Sequence, residues 1–276
     1  RVEMRTNDLQ GVTAYYEITL PEIKSSELLP HLLENCFLHL QGSIIHRRCF
    51  QDIGQLREDL TRSASYEFFI RLTRFFHGVP VTGPTYYLRR HSGARGPAKS
   101  RFAANDAKYY WHINEKRFFA EIYQELPIDQ YSRSIKVSLP PYETRVHPLI
   151  ARGAAMAGKG LWHLTMRDLS SYQSYHSNTS YDEEVFRCIF GRAFDREHAL
   201  IDLFAEPCLF AAFESHVRAF YSISTRVLIG KKMYYALRRL RYALGRYQYL
   251  TYTWYLFCFI GMNGLIYYVK EKAPNP

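Results

Sequence analysis

An imidazole acts as a general base when a carboxylate holds its far side, and His163-Leu-Thr-Met-Arg-Asp168 supplies one of each with four residues between them. A lysine beside glycines can cradle phosphate on backbone amides, the composition of Gly153-Ala-Ala-Met-Ala-Gly158-Lys159-Gly160. A helix bearing His112, Glu115 and Glu121 could turn polar groups to one face, as a metal site requires. Each has a plainer reading beside it: a chance match, a small-residue turn or helix contact, and surface or satisfied core residues.

The His163/Asp168 spacing resembles that of glycerolipid acyltransferases, and the resemblance implies a membrane-bound enzyme in which Asp168 orients His163 as the base. No further Gly-rich or Arg-containing block of that family is present. The glycine segment resembles a P-loop, but Gly160 stands where the magnesium-binding hydroxyl belongs and no convincing strand precedes it. His31, His39 and His46 form no HxxxH or HExxH unit, and no serine sits in a GxSxG elbow. The expectation is therefore no catalytic constellation, no metal and no cofactor other than a bound phospholipid such as cardiolipin.

Charge is distributed unevenly. The formal net charge is +10, and Arg218, Arg226, Lys231, Lys232, Arg238, Arg239, Arg241 and Arg246 supply eight positive charges with no Asp or Glu among them, so 10 minus 8 leaves +2 for the rest. At ~100° per residue, Lys231, Lys232, Arg238, Arg239, Arg241 and Arg246 fall on one half of a helix and Met233, Leu237, Leu240 and Leu244 on the other. A basic amphipathic helix reads as an anionic-lipid contact, and Arg226, Lys231, Lys232, Arg238, Arg239, Arg241 and Arg246 are its candidate ligands. Nucleic-acid binding would spread basic residues over the whole body, interleaved with exposed aromatics. The stretch from Arg89 to Arg101 is the one other basic, acid-free segment, and no nucleic-acid partner is expected.

Residues Tyr247 to Val269 follow as 23 positions without a charge, 17 of them apolar. About 20 residues cross a bilayer core as a helix, so the segment is expected to span a membrane. Tyr247, Tyr249 and Tyr252 near one end and Tyr267 and Tyr268 near the other match aromatic belts, and the heavier positive flank puts the soluble body on the cytoplasmic or matrix side. Gly261, Asn263 and Gly264 are expected to pack against a neighbouring helix. A buried helix of a soluble domain is the alternative.

The remainder reads as mainly α with a few short strands: a helical soluble body, then the basic helix, then one C-terminal transmembrane helix. Strands are expected at Val12 to Leu20 and Ser134 to Leu139, the latter before Pro140-Pro141. Helices are expected from Ser26 to Leu40, Asp52 to Leu60, Tyr66 to Phe76, Asp106 to Glu125, Asp182 to Phe194 and Pro207 to Ser222, with Ser170 to Ser180 a loop. The divisions are an α+β body at 1–140, a helical body at 141–225, a juxtamembrane helix at 226–246, the span at 247–269 and a tail at 270–276. The five cysteines show no CxxC pair and read as reduced, buried fillers; a single Cys36 to Cys49 bridge is the alternative, though spacing alone does not supply the geometry of a disulfide.

A chain opening on Arg1 reads as one that has lost a transit peptide or was cut by design. Together these features point to a non-catalytic accessory subunit of a mitochondrial inner-membrane energy-converting complex, the respiratory chain or the ATP synthase. Its body would face the matrix and its partners would be other subunits and anionic phospholipid. The alternatives are the acyltransferase-like enzyme using His163 and Asp168, and a mitochondrial ribosome-associated RNA-binding protein.

Overall fold

The computed structural model describes residues 2–7, 11–17, 23–81, 86–90, 102–103, 106–136, 143–174, 180–194, 196–240 and 244–272. The stretch 91–101, Arg241, and residues 175–179 of the expected polar loop lie outside them. The fold is mainly α with a few short strands, in two units, Arg1–Phe118 and Phe119–Pro276.

In the first unit, β1 (Val2–Asn7) pairs antiparallel with β2 (Gly11–Glu17), Val2 opposite Glu17, and parallel with β3 (Tyr87–Arg90) on its other edge. Helices α1 (Leu28–Glu34), α2 (Arg47–Ile53), α3 (Ala64–Phe75) and the start of α4 (Ala107–Glu125) build the core. Tyr66 meets Phe118 edge-on at 5.7 Å and donates its hydroxyl to the Leu32 carbonyl, while Phe68 stacks on Phe50 at 5.0 Å. The expected helix from Ser26 to Leu40 is cut short, because Asn35 turns extended at φ −151°. The one expected from Asp52 to Leu60 does not form. Gly54, at φ 82°, ends α2 in a conformation side-chain-bearing residues avoid. Arg71 reaches over to donate to the Ile53 and Gln55 carbonyls, supplying partners where α2 has run out of amides.

The second unit opens with the rest of α4, passes through the antiparallel pair β4 (Ser134–Lys136) and β5 (Glu143–Arg145) and continues as seven described helices: α5 (Pro148–Ala157), α6 (Trp162–Gln173), α7 (Ser180–Ala193), α8 (Glu197–Ala205), α9 (Pro207–Phe220), α10 (Ile223–Leu240) and α11 (Arg246–Lys272). Pro148 and Pro207 stand at first helical positions, where a missing N–H loses nothing. The core is aromatic. Trp162 stacks on Phe194 at 5.8 Å, meets Phe213 edge-on at 5.4 Å and donates its indole N–H to the Ala199 carbonyl at 2.7 Å.

The expected membrane-spanning helix at Tyr247 to Val269 is not found: among the described residues no helix is long and apolar enough to cross a membrane. Two physical causes are visible. The polar tips of its tyrosines, with Gln248, Thr251 and Thr253, keep the segment's mean hydropathy low. Gly261, at φ 69° and ψ 165°, also breaks α11, so the regular stretch from Arg246 to Ile260 is ~22 Å long at ~1.5 Å per residue, short of the ~30 Å of a bilayer core. The Cys36 to Cys49 bridge is likewise absent, no disulfide joining the two; Cys49 is buried, but Cys208 is exposed and so is not a filler.

Candidate functional site

The sequence-level candidates for chemistry come apart in three dimensions. His163 and Asp168 sit five residues apart on α6, ~140° around the helix at ~100° per residue. His163 is exposed and Asp168 is 1% exposed, so they form no dyad. Asp168 is held elsewhere. Its oxygens accept from Arg152 Nη2 at 2.7 Å, Arg152 Nε at 2.9 Å and the Tyr123 hydroxyl at 2.9 Å, with the guanidinium 4.1 Å over the Tyr123 ring. Burial, followed by the adjacent Asp168, pushes the Tyr123 hydroxyl up to about 12.

The glycine-lysine segment is no phosphate cradle. Gly153 to Ala157 form the C-terminal half of α5 and Gly158 is its cap; the amides of Gly158, Lys159 and Gly160 are spent on the carbonyls of Ala154, Met156 and Ala157, each at 3.0 Å, and none is left for a phosphate. Lys159 is completely buried, its ammonium 4.5 Å from the Phe119 ring centre. On α4, Glu115 is buried and His112 and Glu121 are half-buried. No cluster of three or more His, Cys, Asp or Glu able to hold a metal occurs among the described residues.

The basic helix is α10, and two of its cations, Lys232 and Arg239, are engaged by α7 and α8. Met233 and Leu237 are fully buried and Leu240 nearly so, matching the expected apolar half. Lys232 turns inward and donates to the Gly191 carbonyl of α7 at 3.0 Å. Arg239 pairs with Glu197 of α8 at 2.9 Å. Arg226 is half-buried, its Nε enclosed without a hydrogen-bond partner among the described residues, and burial together with the charge of Arg218 lowers its pKa. Lys231 is half-buried, while Arg238 and Arg246 are exposed. The start of α10 is set by Glu183 of α7, which accepts from the Ser222 amide at 2.6 Å, the Ser222 hydroxyl at 2.7 Å and the Thr225 hydroxyl at 2.8 Å. A carboxylate there also faces the positive end of the helix dipole.

Helix α11 carries two apolar faces. Its inner face holds Tyr252 stacked on Phe204 at 4.9 Å, Tyr255 on Phe210 at 5.2 Å and Phe259 on Phe213 at 6.1 Å. Gly230 lets α10 approach so closely that a Cβ there would lie 2.5 Å from Ile260 Cγ1. The outer face displays Tyr247, Leu250, Trp254 and Phe257, which are 83%, 58%, 62% and 40% exposed. The rings of Trp254 and Phe257 stack at 5.6 Å. At the Gly261 break the Arg218 guanidinium donates to the Cys258 carbonyl, and Glu214 accepts from Arg218 at 2.8 Å. A cation there complements the negative end of a helix.

Of the expected helix-packing residues, Gly261 is thus a break in the helix, while the side chain of Asn263 and the surroundings of Gly264 lie outside the described residues. In the sequence the outer stripe is masked by a run without charges. Its signal is spacing, because Tyr247, Leu250, Trp254 and Phe257 recur every three or four residues. Neither protein families, nor curated proteins, nor solved structures give a match to this chain.

Proposed function

We propose that this chain is a non-catalytic accessory subunit of a membrane-bound energy-converting complex, attached through the outer face of α11. The observation that carries the reading is the doubled apolar character of that helix. One face is covered by α8, α9 and α10, and the other presents a tryptophan, a tyrosine, a phenylalanine and a leucine to solvent. Large aromatic side chains displayed together are the residues that dominate binding surfaces. Tyr109, Trp111 and Ile113 on α4 add a second exposed group, in the first unit.

The proposal places the complex in the mitochondrial inner membrane, with the body on the matrix side, and takes the respiratory chain or the ATP synthase as host. Other subunits and anionic phospholipid such as cardiolipin are the partners, the latter met by Arg238 and Arg246. Attachment no longer needs a spanning helix. Native electrophoresis of membranes solubilised in mild detergent tests the reading. The chain is expected to migrate with a large assembly whose subunits mass spectrometry identifies; migration near its own 32.5 kDa would refute it.

A further inference from the structure

Taking Arg246 as zero and ~100° per residue, Arg246, Phe257, Leu250, Trp254 and Tyr247 fall at roughly 0°, 20°, 40°, 80° and 100° around α11. The packed residues Phe259, Tyr252 and Leu256 fall at roughly 220°, 240° and 280° by the same rule. The outward residues therefore form one continuous stripe, with an arginine on its border. Its chemistry is interfacial. Leucine, tryptophan and phenylalanine supply apolar bulk, tyrosine supplies a ring with a polar tip, and arginine supplies a charge at the edge.

The surrounding charge favours an anionic occupant. No Asp or Glu occurs from Arg218 to Arg246, and Glu197 and Glu214, which reach this region from α8 and α9, are paired with Arg239 and Arg218. Arg246 stays exposed on the stripe's border, and Arg238, two residues before the end of α10, is exposed as well. The break at Gly261, capped by Arg218, ends the regular helix too early for it to cross hydrocarbon. A helix that is too short to span, apolar outward and bordered by an arginine suits the plane of a membrane surface.

We infer that the Arg246–Ile260 stretch is an in-plane binding helix for an anionic phospholipid bilayer, with Leu250, Trp254 and Phe257 sunk among acyl chains and Tyr247 and Arg246 at headgroup level. The inference rests on the preceding reading that the outer face of α11 is the attachment surface, and it names lipid as what covers that face.

Flotation of the detergent-free full-length chain with phosphatidylcholine vesicles, with and without cardiolipin, tests it. Binding is expected with cardiolipin and is expected to weaken as salt is raised. Trp254→Glu and Phe257→Glu should each lower vesicle affinity ~10-fold or more, since each removes the burial of a large apolar group. Arg246→Gln should lower it ~5-fold, about one headgroup contact. Circular dichroism should stay unchanged because all three side chains are exposed. In a Trp111→Phe background, brominated lipid should quench Trp254, while Trp162 stays buried. Absence of flotation, wild-type flotation of the glutamate variants, or unquenched Trp254 would each overturn the inference. Co-migration with an assembly but no vesicle binding would put a protein on the stripe and leave the accessory-subunit reading standing. Vesicle binding without co-migration would do the reverse.

Discussion

Replacing Asp168 with Ala should be among the most damaging single changes in the second unit. The carboxylate is 1% exposed and accepts from Arg152 through two nitrogens and from Tyr123. Removing it leaves a guanidinium whose side chain is 15% exposed with no counter-charge at hand. Breaking a buried pair from one side costs ~3–5 kcal/mol, and the remaining contact with the Tyr123 ring places this case near ~3 kcal/mol. For a unit of this size that lowers the melting temperature by ~6–12 °C. Thermal and urea unfolding followed by circular dichroism, with hydrogen exchange over α5 and α6, would measure it. The triple variant Asp168→Leu, Arg152→Met, Tyr123→Phe should recover to within ~1 kcal/mol of wild type, because no unpaired charge remains. His163→Ala should change stability by less than ~0.5 kcal/mol. A loss below ~1 kcal/mol for Asp168→Ala, or failure of the triple variant to recover, would refute the assignment of Asp168 to Arg152.

Three further outcomes follow from the packing. Burial holds the His216 imidazole down at about 4, below its ordinary 6.5, so the unfolded state takes up a proton first as pH falls. Stability should therefore decline between pH 6.5 and 4 by about 3 kcal/mol, and His216→Leu should flatten that part of a urea-midpoint profile. Gly230→Ala should destabilise by ~1 kcal/mol despite a better helix propensity, since its methyl group would collide with Ile260, and Ile260→Ala in the same chain should relieve the collision. Glu183→Ala should cost ~1–2 kcal/mol and fray the first turn of α10, visible as faster amide exchange there, because it removes the acceptor for Ser222 and Thr225.

Local pattern made some of this legible in the sequence. The helix ending before Pro127 and the apolar half of α10 at Met233, Leu237 and Leu240 follow from turn signals and periodicity. Lys232 escaped because adjacent residues 231 and 232 look equivalent by charge; only the backbone of α7 at Gly191 distinguishes them. Spacing along one helix offers Asp168 a histidine, whereas its partner Arg152 lies 16 residues away on another helix, beyond the reach of local pattern. Helix α5 carries a start signal in Pro148, but its small residues Gly153 to Ala157 give a weak periodicity, and Lys159 lies beyond its end. In α11 the absence of charge conceals two distinct faces, and nothing in the sequence signals that Gly261 breaks the helix.

The central claim is that the outer stripe of α11 attaches this chain to a membrane assembly. Expressing wild type and Trp254→Glu side by side and comparing how each divides between washed membranes and supernatant, before any detergent is added, tests it most directly. The wild-type chain should sediment with the membranes. The variant, with an unchanged melting temperature, should move to the supernatant. Equal partition of the two, or a wild-type chain that already stays in the supernatant, would contradict it.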